Sequence, residues 1–358
     1  MTRTGQTGVI QLWDTVNIAP ESIADGSRSR AARIKSVIER FRHPSHARAI
    51  WQLTNTVLPY AFIWFLMAKV ITVSYWLILP LALLAAGLRV RVFIFMHDCG
   101  HGSFTRSKRA NALVGWITGL LTFTPYHHWT WEHAIHHRTS GNLQRRGKGD
   151  IWTMTVDEYL RASLWRRCAY RLLRNPAVLF AVAPMVLFIV LERFPSSQAG
   201  RRERNSVWIT NVALLLMAGG LSALIGFKAW CQIELTLMLL AGGAGVWLFY
   251  VQHQFADAYW TSHDDWDYTE AALQGSSFYK LPAILRWFSG NIGFHHIHHL
   301  SPQIPNYHLQ RCHNAEPLFR GAPTLTLGQS LRSATLRLWD EQRQRLIGFR
   351  LLRSHRAS

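Results

Sequence analysis

The sequence predicts an all-α integral membrane protein: four transmembrane helices in two hairpins, with interfacial helices and a histidine-rich cap on the cytoplasmic side. Three observations carry that reading. Hydrophobic residues are 49% of the 358 and charged residues only 16%, against the roughly 25% charged of soluble domains. Four uncharged stretches approach the ~20 residues a helix needs to cross ~30 Å of hydrocarbon. The net charge of +19, from 39 Lys and Arg against 20 Asp and Glu, falls almost entirely outside the turns that join those stretches. The same composition argues against disorder, collagen-like repeats and a coiled coil.

Residues 1–48 read as a basic, polar N-terminal segment, mobile at its start. The first 30 residues contain no apolar h-region, so no secretory signal peptide is expected. Residues 49–310 form the membrane domain. Ala49 to Ala68 and Val70 to Leu88 make the first hairpin, separated only by Lys69. Val207 to Phe227 and Leu235 to Val251 make the second, turning around Lys228 to Gln232. Arg-rich segments at 28–48, 138–174, 201–204 and 311–356 belong on the cytoplasmic side by the positive-inside rule. The +19 therefore reads as charge at a bilayer surface. Nucleic acid is not the expected partner, because no helix-turn-helix, zinc-finger or RNA-binding signature is present.

A fifth apolar run, Pro176 to Leu191, is shorter and contains Pro184. It is expected to be interfacial or re-entrant, since a crossing would move everything after Arg201 to the opposite face. Ala110 to Phe123 reads as a short interfacial helix. Residues 311–358 read as a basic amphipathic tail. From Leu325 to Arg353 it has helical spacing and suits either a helix lying flat on the bilayer or one packed on the cap. Gly219, Gly220, Gly242, Gly243 and Gly245 suggest close helix approach. Four cysteines (Cys99, Cys168, Cys231, Cys312) form no CxxC, so neither a disulfide framework nor a Cys-based zinc site is indicated.

The 18 histidines are the unusual part of the composition. Three clusters stand out: His97 and His101 in HxxxH, His133, His136 and His137 in HxxHH, and His295, His296, His298 and His299 around a second HxxHH. On a helix, positions i and i+4 share a face and i+3 lies beside them. Each cluster thus offers two or three imidazoles to a common region. An HxxHH is expected by chance only about 0.04 times in a chain of this length and His content. With two hairpins, all three clusters reach the same side of the membrane and can converge. Eight clustered imidazoles exceed the four ligands of one tetrahedral zinc and suit two ions with positions left open. Neutral imidazole suits Fe, Cu, Ni and Zn alike. His127 and His128 lie outside the spacing and are not expected to bind metal.

The HDCGH, HAIHH and HHIHH set, with TPYHHWTWEHAIHH, GDIWTMTVDEYL and VQHQFADAYW, resembles the membrane-bound fatty acid desaturases, most of all the bacterial acyl-lipid type related to delta-12 (omega-6) desaturases. The resemblance runs from about Thr54 to Leu309. It implies two Fe ions in a non-haem di-iron centre and oxygen-dependent removal of two hydrogens from a long acyl chain, leaving a cis double bond. The metal ligands it implies are His97, His101, His133, His136, His137, His295, His298 and His299, with His253 as the ninth. The sequence departs from the family at position 256, where Ala256 replaces a carboxylate, and His296 beside His295 leaves that choice open. Asp98, Glu132, Asp150 and Asp257 could orient imidazole N–H groups, and Asn291 could hold a water or cap a helix. Trp116, Phe123, Trp129, Trp131, Trp152 and Phe294 are candidates for lining an acyl tunnel. The chain has no segment resembling an electron carrier, so electrons are expected from a separate donor such as ferredoxin. The resemblance places the enzyme in the bacterial inner membrane, with the histidines and both termini cytoplasmic. A hydroxylase on the same metal frame is the alternative, and a non-enzymatic metal transporter or sensor a remote one.

Overall fold

The computed structural model describes residues 25–352. Among the described residues, four helices are long and apolar enough to cross a bilayer: His46–Val70, Tyr75–Gly100, Arg201–Ile225 and Phe227–His253. The second and fourth are the inner pair, and the first and third expose most of their surface. In the first hairpin, Ser74 accepts from the Trp76 backbone N–H and starts the returning helix. The second turns at Gly226, whose φ of +88° is costly for any residue with a Cβ. Met67, Ile78, Ala82, Ala85, Ile233 and Leu237 pack the bundle interior with no exposed surface. The start of the basic N-terminal segment lies outside the described residues. From Asp25 to Phe41 the chain is helical, and Ile34, Val37 and Phe41 pack on Ile297, Leu300 and Leu309 in the cap.

Two spans are longer than the uncharged stretches suggest. The second continues past Leu88 to Gly100, and the fourth begins at Phe227, ahead of Leu235. A buried ion pair joins the two extensions. Arg89 Nη1 lies 2.8 Å from Glu234 Oε2, and Trp64 Nε1 donates to Glu234 Oε1 at 3.2 Å. Burying either charge alone would be costly, whereas paired and hydrogen-bonded they are tolerated inside the spans.

The fifth apolar run does not form a straight crossing. Val178–Arg193 meets the preceding helix Leu164–Leu173 at 64°. Its two flanks lie at the same end of the bundle: Arg174 donates to Gln254 beside His253, and the Ser196 backbone N–H donates to His128. The run therefore dips in and returns, packing on the middle of the fourth span. Ideal Cβ atoms at Gly242 and Gly243 would stand 3.0 Å from Pro184 Cβ and 2.5 Å from the Phe180 carbonyl oxygen. Only these two of the five glycines serve close approach, since Gly219, Gly220 and Gly245 face open space. Gly243→Ala is expected to destabilise the protein by about 1–3 kcal/mol through overpacking. Gly220→Ala should be neutral or slightly stabilising. Thermal melts of the two purified variants read the difference, and equal melting temperatures would contradict the contact.

The C-terminal tail departs from the helical reading. It contains β3 (Thr324–Thr326), a short helix (Leu327–Ser333) and the hairpin β4 (Leu338–Asp340) to β5 (Arg345–Ile347). β4 lies parallel to β1 (Met154–Thr155), and β3 parallel to β2 (Phe278–Lys280). The apolar pairs Leu338–Trp339 and Leu346–Ile347 are buried on these partners, so the tail is folded into the cap instead of lying on the bilayer. Asp340 accepts from the Gln342 and Arg343 backbone N–H groups and fixes the hairpin turn. Arg174 anchors the assembly. It is buried, and its Nη2 donates to Gln254 Oε1 and to the Leu336 carbonyl.

Candidate metal centre

The histidine clusters sit on four helical ends that meet at one end of the bundle. His97 lies in the last turn of the second span, and His101 caps it, its N–H bonding to the His97 carbonyl. His253 is the last residue of the fourth span. The middle cluster rides on the helix Tyr126–Thr139 and the last on the short helix His295–Leu300. All nine side chains are buried or nearly so.

They sort into two groups. His97, His101, His133, His137 and His298 form one, and His136, His253, His295 and His299 the other, with donor atoms within 4.8 Å of one another in each. Each HxxHH serves both groups. In the middle cluster, i and i+4 (His133, His137) face the first group and i+3 (His136) the second. In the last cluster the assignment is reversed: His295 and His299 face the second group and His298 the first. That crossing gives the motif its physical meaning, since HxxxH alone could supply only one group.

The nitrogen spacing suits a cation. His97 Nε2 and His137 Nε2 each lie 3.0 Å from His298 Nε2, and His133 Nε2 lies 3.0 Å from His137 Nε2. In the second group, His253 Nε2 is 3.2 Å from His136 Nε2 and 2.9 Å from His295 Nε2. With a metal–nitrogen bond of about 2.1 Å, donors at right angles stand about 3.0 Å apart and tetrahedral donors about 3.4 Å. The observed contacts match the right-angle edge.

Tautomers strengthen the argument. His136 Nδ1 donates to Asp150 Oδ1 at 2.6 Å, and His253 Nδ1 to the Gly275 carbonyl at 3.4 Å. A neutral imidazole that donates from Nδ1 has a bare Nε2. Two bare lone pairs thus face each other at 3.2 Å, which is repulsive unless a positive ion lies between them. His97 Nδ1 is likewise held by Asp98 Oδ1 at 3.0 Å. His299 Nε2 is buried and makes no hydrogen bond. Burial, and then the neighbouring imidazoles, push the affinity of His101, His133, His137, His295, His298 and His299 for a proton well below the ordinary histidine value. They are held neutral, the form that binds a metal.

His296 belongs to neither group. Its Nε2 lies 3.0 Å from His313 Nδ1, while His295 lies in the second group. His128 accepts from the Ser196 N–H, and His127 lies beside Arg202. Of the carboxylates, Asp98 and Asp150 reach the imidazoles. Glu132 instead faces His128 at 4.0 Å, and Asp257 is exposed, 3.7 Å from Arg345. Asn291 donates to the Asn306 carbonyl and takes a positive φ of 59°. Sequence reasoning missed Asn306 itself. Its backbone N–H and Nδ2 donate to Asp98 Oδ2 at 2.8 and 2.9 Å, and its Oδ1 accepts from Gln52 at 2.8 Å. Nothing in the sequence links residues so far apart.

Of the six aromatic candidates only Trp129 meets the imidazoles, stacked on His133 with ring centres 4.4 Å apart. Trp116 packs on His127, Trp131 lies under Lys148, Trp152 packs on Tyr170, Phe294 stacks on Phe278, and Phe123 lies under Arg89. Phe249 was not anticipated. Its ring centre is 5.1 Å from both His136 and His253. Trp129 and Phe249 therefore wall one group each with apolar surface.

A family model described as fatty acid desaturase matches residues 74–325. A fatty acid desaturase of Bacillus subtilis is 44% identical over 316 residues, covering 88% of this chain and 90% of that protein. The sn-1 oleoyl-lipid 12-desaturase of Synechocystis is 27% identical over 67% of this chain and 68% of its own length. A second Synechocystis protein, sn-1 acyl-lipid omega-3 desaturase (ferredoxin), is 28% identical over 67% of each. Two crossed imidazole groups at the end of four membrane spans, and a sequence that aligns across them, lead to one assignment: the chain belongs to the fatty acid desaturase family and is a membrane oxidoreductase.

Proposed function

We propose that the protein is an acyl-lipid desaturase that introduces a cis double bond into a long acyl chain, using O2 and two electrons, at a centre of two iron ions. The observation that carries this reading is the division of nine buried imidazoles into groups of five and four. The first ion would be held by His97, His101, His133, His137 and His298, and the second by His136, His253, His295 and His299. No amino-acid side chain attacks an unactivated methylene C–H, and bound iron would supply the oxygen activation that this step requires. The chain's own residues do the rest. Asp98 and Asp150 keep protons on the outer nitrogens of His97 and His136, so the inner nitrogens stay free to bind. Trp129 and Phe249 give each imidazole group one apolar wall. The names of the Synechocystis relatives favour a lipid-bound acyl substrate. The charge distribution favours a cytoplasmic face for the histidines, and the bacterial relatives favour the inner membrane of a bacterium as location.

A transporter would need donors along a path across the bilayer, and the imidazole groups at one end of the spans argue against it. A hydroxylase would use the same frame. Expression in a bacterial host, with gas chromatography and mass spectrometry of its fatty acids, is expected to show a new double bond. A hydroxylated product, or none from metal-loaded protein, would overturn the reading.

A further inference from the structure

A second feature opens beside the first imidazole group. A cleft of about 420 Å³ lies where the second span ends, where the helix Lys108–Leu121 begins and where the third span begins. Its floor includes His101, and its rim carries Arg42, Arg106, Lys108 and Arg202. All four cations are exposed. One acid, Glu203, lines the wall. Arg42 is paired with Glu39 at 2.7 Å. Arg106 donates to the Pro44 carbonyl and Arg202 lies 3.4 Å from His127, so among the described contacts no carboxylate neutralises Arg106, Lys108 or Arg202. The cleft is thus a positively charged recess whose bottom is one imidazole of the candidate centre.

We infer that this recess is the docking site of a small acidic one-electron carrier protein, whose carboxylates meet Arg106, Lys108 and Arg202 and whose electron is delivered at His101. The inference rests on the metal-centre reading above. Forming one double bond removes two hydrogens from the acyl chain. It consumes O2, two electrons and two protons and releases two waters. A one-electron carrier is oxidised once per visit, so two reduced carriers must dock and leave in each turnover. That traffic suits a small, electrostatically steered interface, not a tight one. A lipid phosphate fits less well. Seated over His101, it would hold the headgroup at the centre, while the reacting methylenes lie many bonds further along the chain.

The test uses the full chain in nanodiscs, with a reduced bacterial ferredoxin as probe and metal content measured throughout. The double variant Arg106→Glu/Lys108→Glu is expected to bind ferredoxin about ten-fold more weakly at low salt and with a flatter salt dependence. Its KM for the lipid should not move. Lys108→Gln should show the same change in smaller measure, which guards against a folding defect in the double variant. Arg166→Glu, an exposed charge change on the helix Leu164–Leu173 away from the cleft, should leave ferredoxin affinity intact. Equal weakening by Arg166→Glu, no weakening in the cleft variants, or wild-type protein that fails to bind ferredoxin would overturn the inference. So would a rise in lipid KM in place of ferredoxin affinity, which would make the recess a headgroup site. Failure of the metal-centre reading appears separately, as wild-type protein that holds no metal.

Discussion

Replacing His136 with alanine is expected to remove one metal from the protein, not two, and to abolish product. His136 belongs to the four-membered group, so its loss leaves His253, His295 and His299, while the five-membered group stays complete. Metal content should fall from two ions per chain toward one. Activity should fall by more than about a hundred-fold, since losing even an outer hydrogen-bond partner of a ligand costs 10–100-fold. Membrane insertion should persist, because the four spans do not depend on this ring. The internal control is His296→Ala, two residues from His298 within the same buried run. His296 packs against His313 and faces neither group. Its loss should cost stability, about 1–3 kcal/mol for leaving the His313 ring unpaired in the interior, yet both metals should remain. Elemental analysis of the two variants decides the matter. Loss of both metals in His136→Ala, or of either in His296→Ala, would contradict the division into five and four.

Much of this centre was legible in the residues because helical periodicity acts over four positions. HxxHH announces two faces of one helix, and the structure uses both, sending i+3 to a different group from i and i+4. His253 was reachable through the family resemblance and lies in the second group, at the end of its span. What stayed hidden depends on partners far away in the chain. The Arg89–Glu234 pair cancels two charges that a count along the sequence treats as span boundaries. The β4–β5 hairpin resembles an amphipathic helix because its arginines and apolar residues alternate loosely, and only the partner strand β1 selects the extended form. Glu132 and Asp257 were candidates by adjacency alone. Adjacency on a helix or in a loop says little about direction, and both point elsewhere.

Asparagine in place of Asp98 is expected to damage the centre far more than asparagine in place of Asp150. Both carboxylates hold the Nδ1 proton of one imidazole, so charge alone predicts equal effects. The difference lies in the second oxygen. Asp150 Oδ2 is buried and has no hydrogen-bond partner. An asparagine there can keep its carbonyl toward His136 and turn its NH2 into the position of that idle oxygen. Asp98 has no idle oxygen. Oδ1 accepts from His97, and Oδ2 accepts from both the backbone N–H and the side-chain amide of Asn306. Whichever way the amide of Asp98→Asn is turned, its NH2 meets a donor, and either the His97 ring or the Asn306 loop must move. Metal affinity of Asp98→Asn should therefore drop by about 10–100-fold, the usual cost of losing an outer partner. Asp150→Asn should weaken binding only a few-fold, by the loss of charge assistance to a hydrogen bond that persists. Competition of each purified variant against a calibrated chelator measures both affinities. Asp150→Asn should weaken the four-membered group alone and Asp98→Asn the five-membered one. Equal losses would mean that net charge near the imidazoles, and not the hydrogen-bond geometry of Asp98, sets the strength of the site.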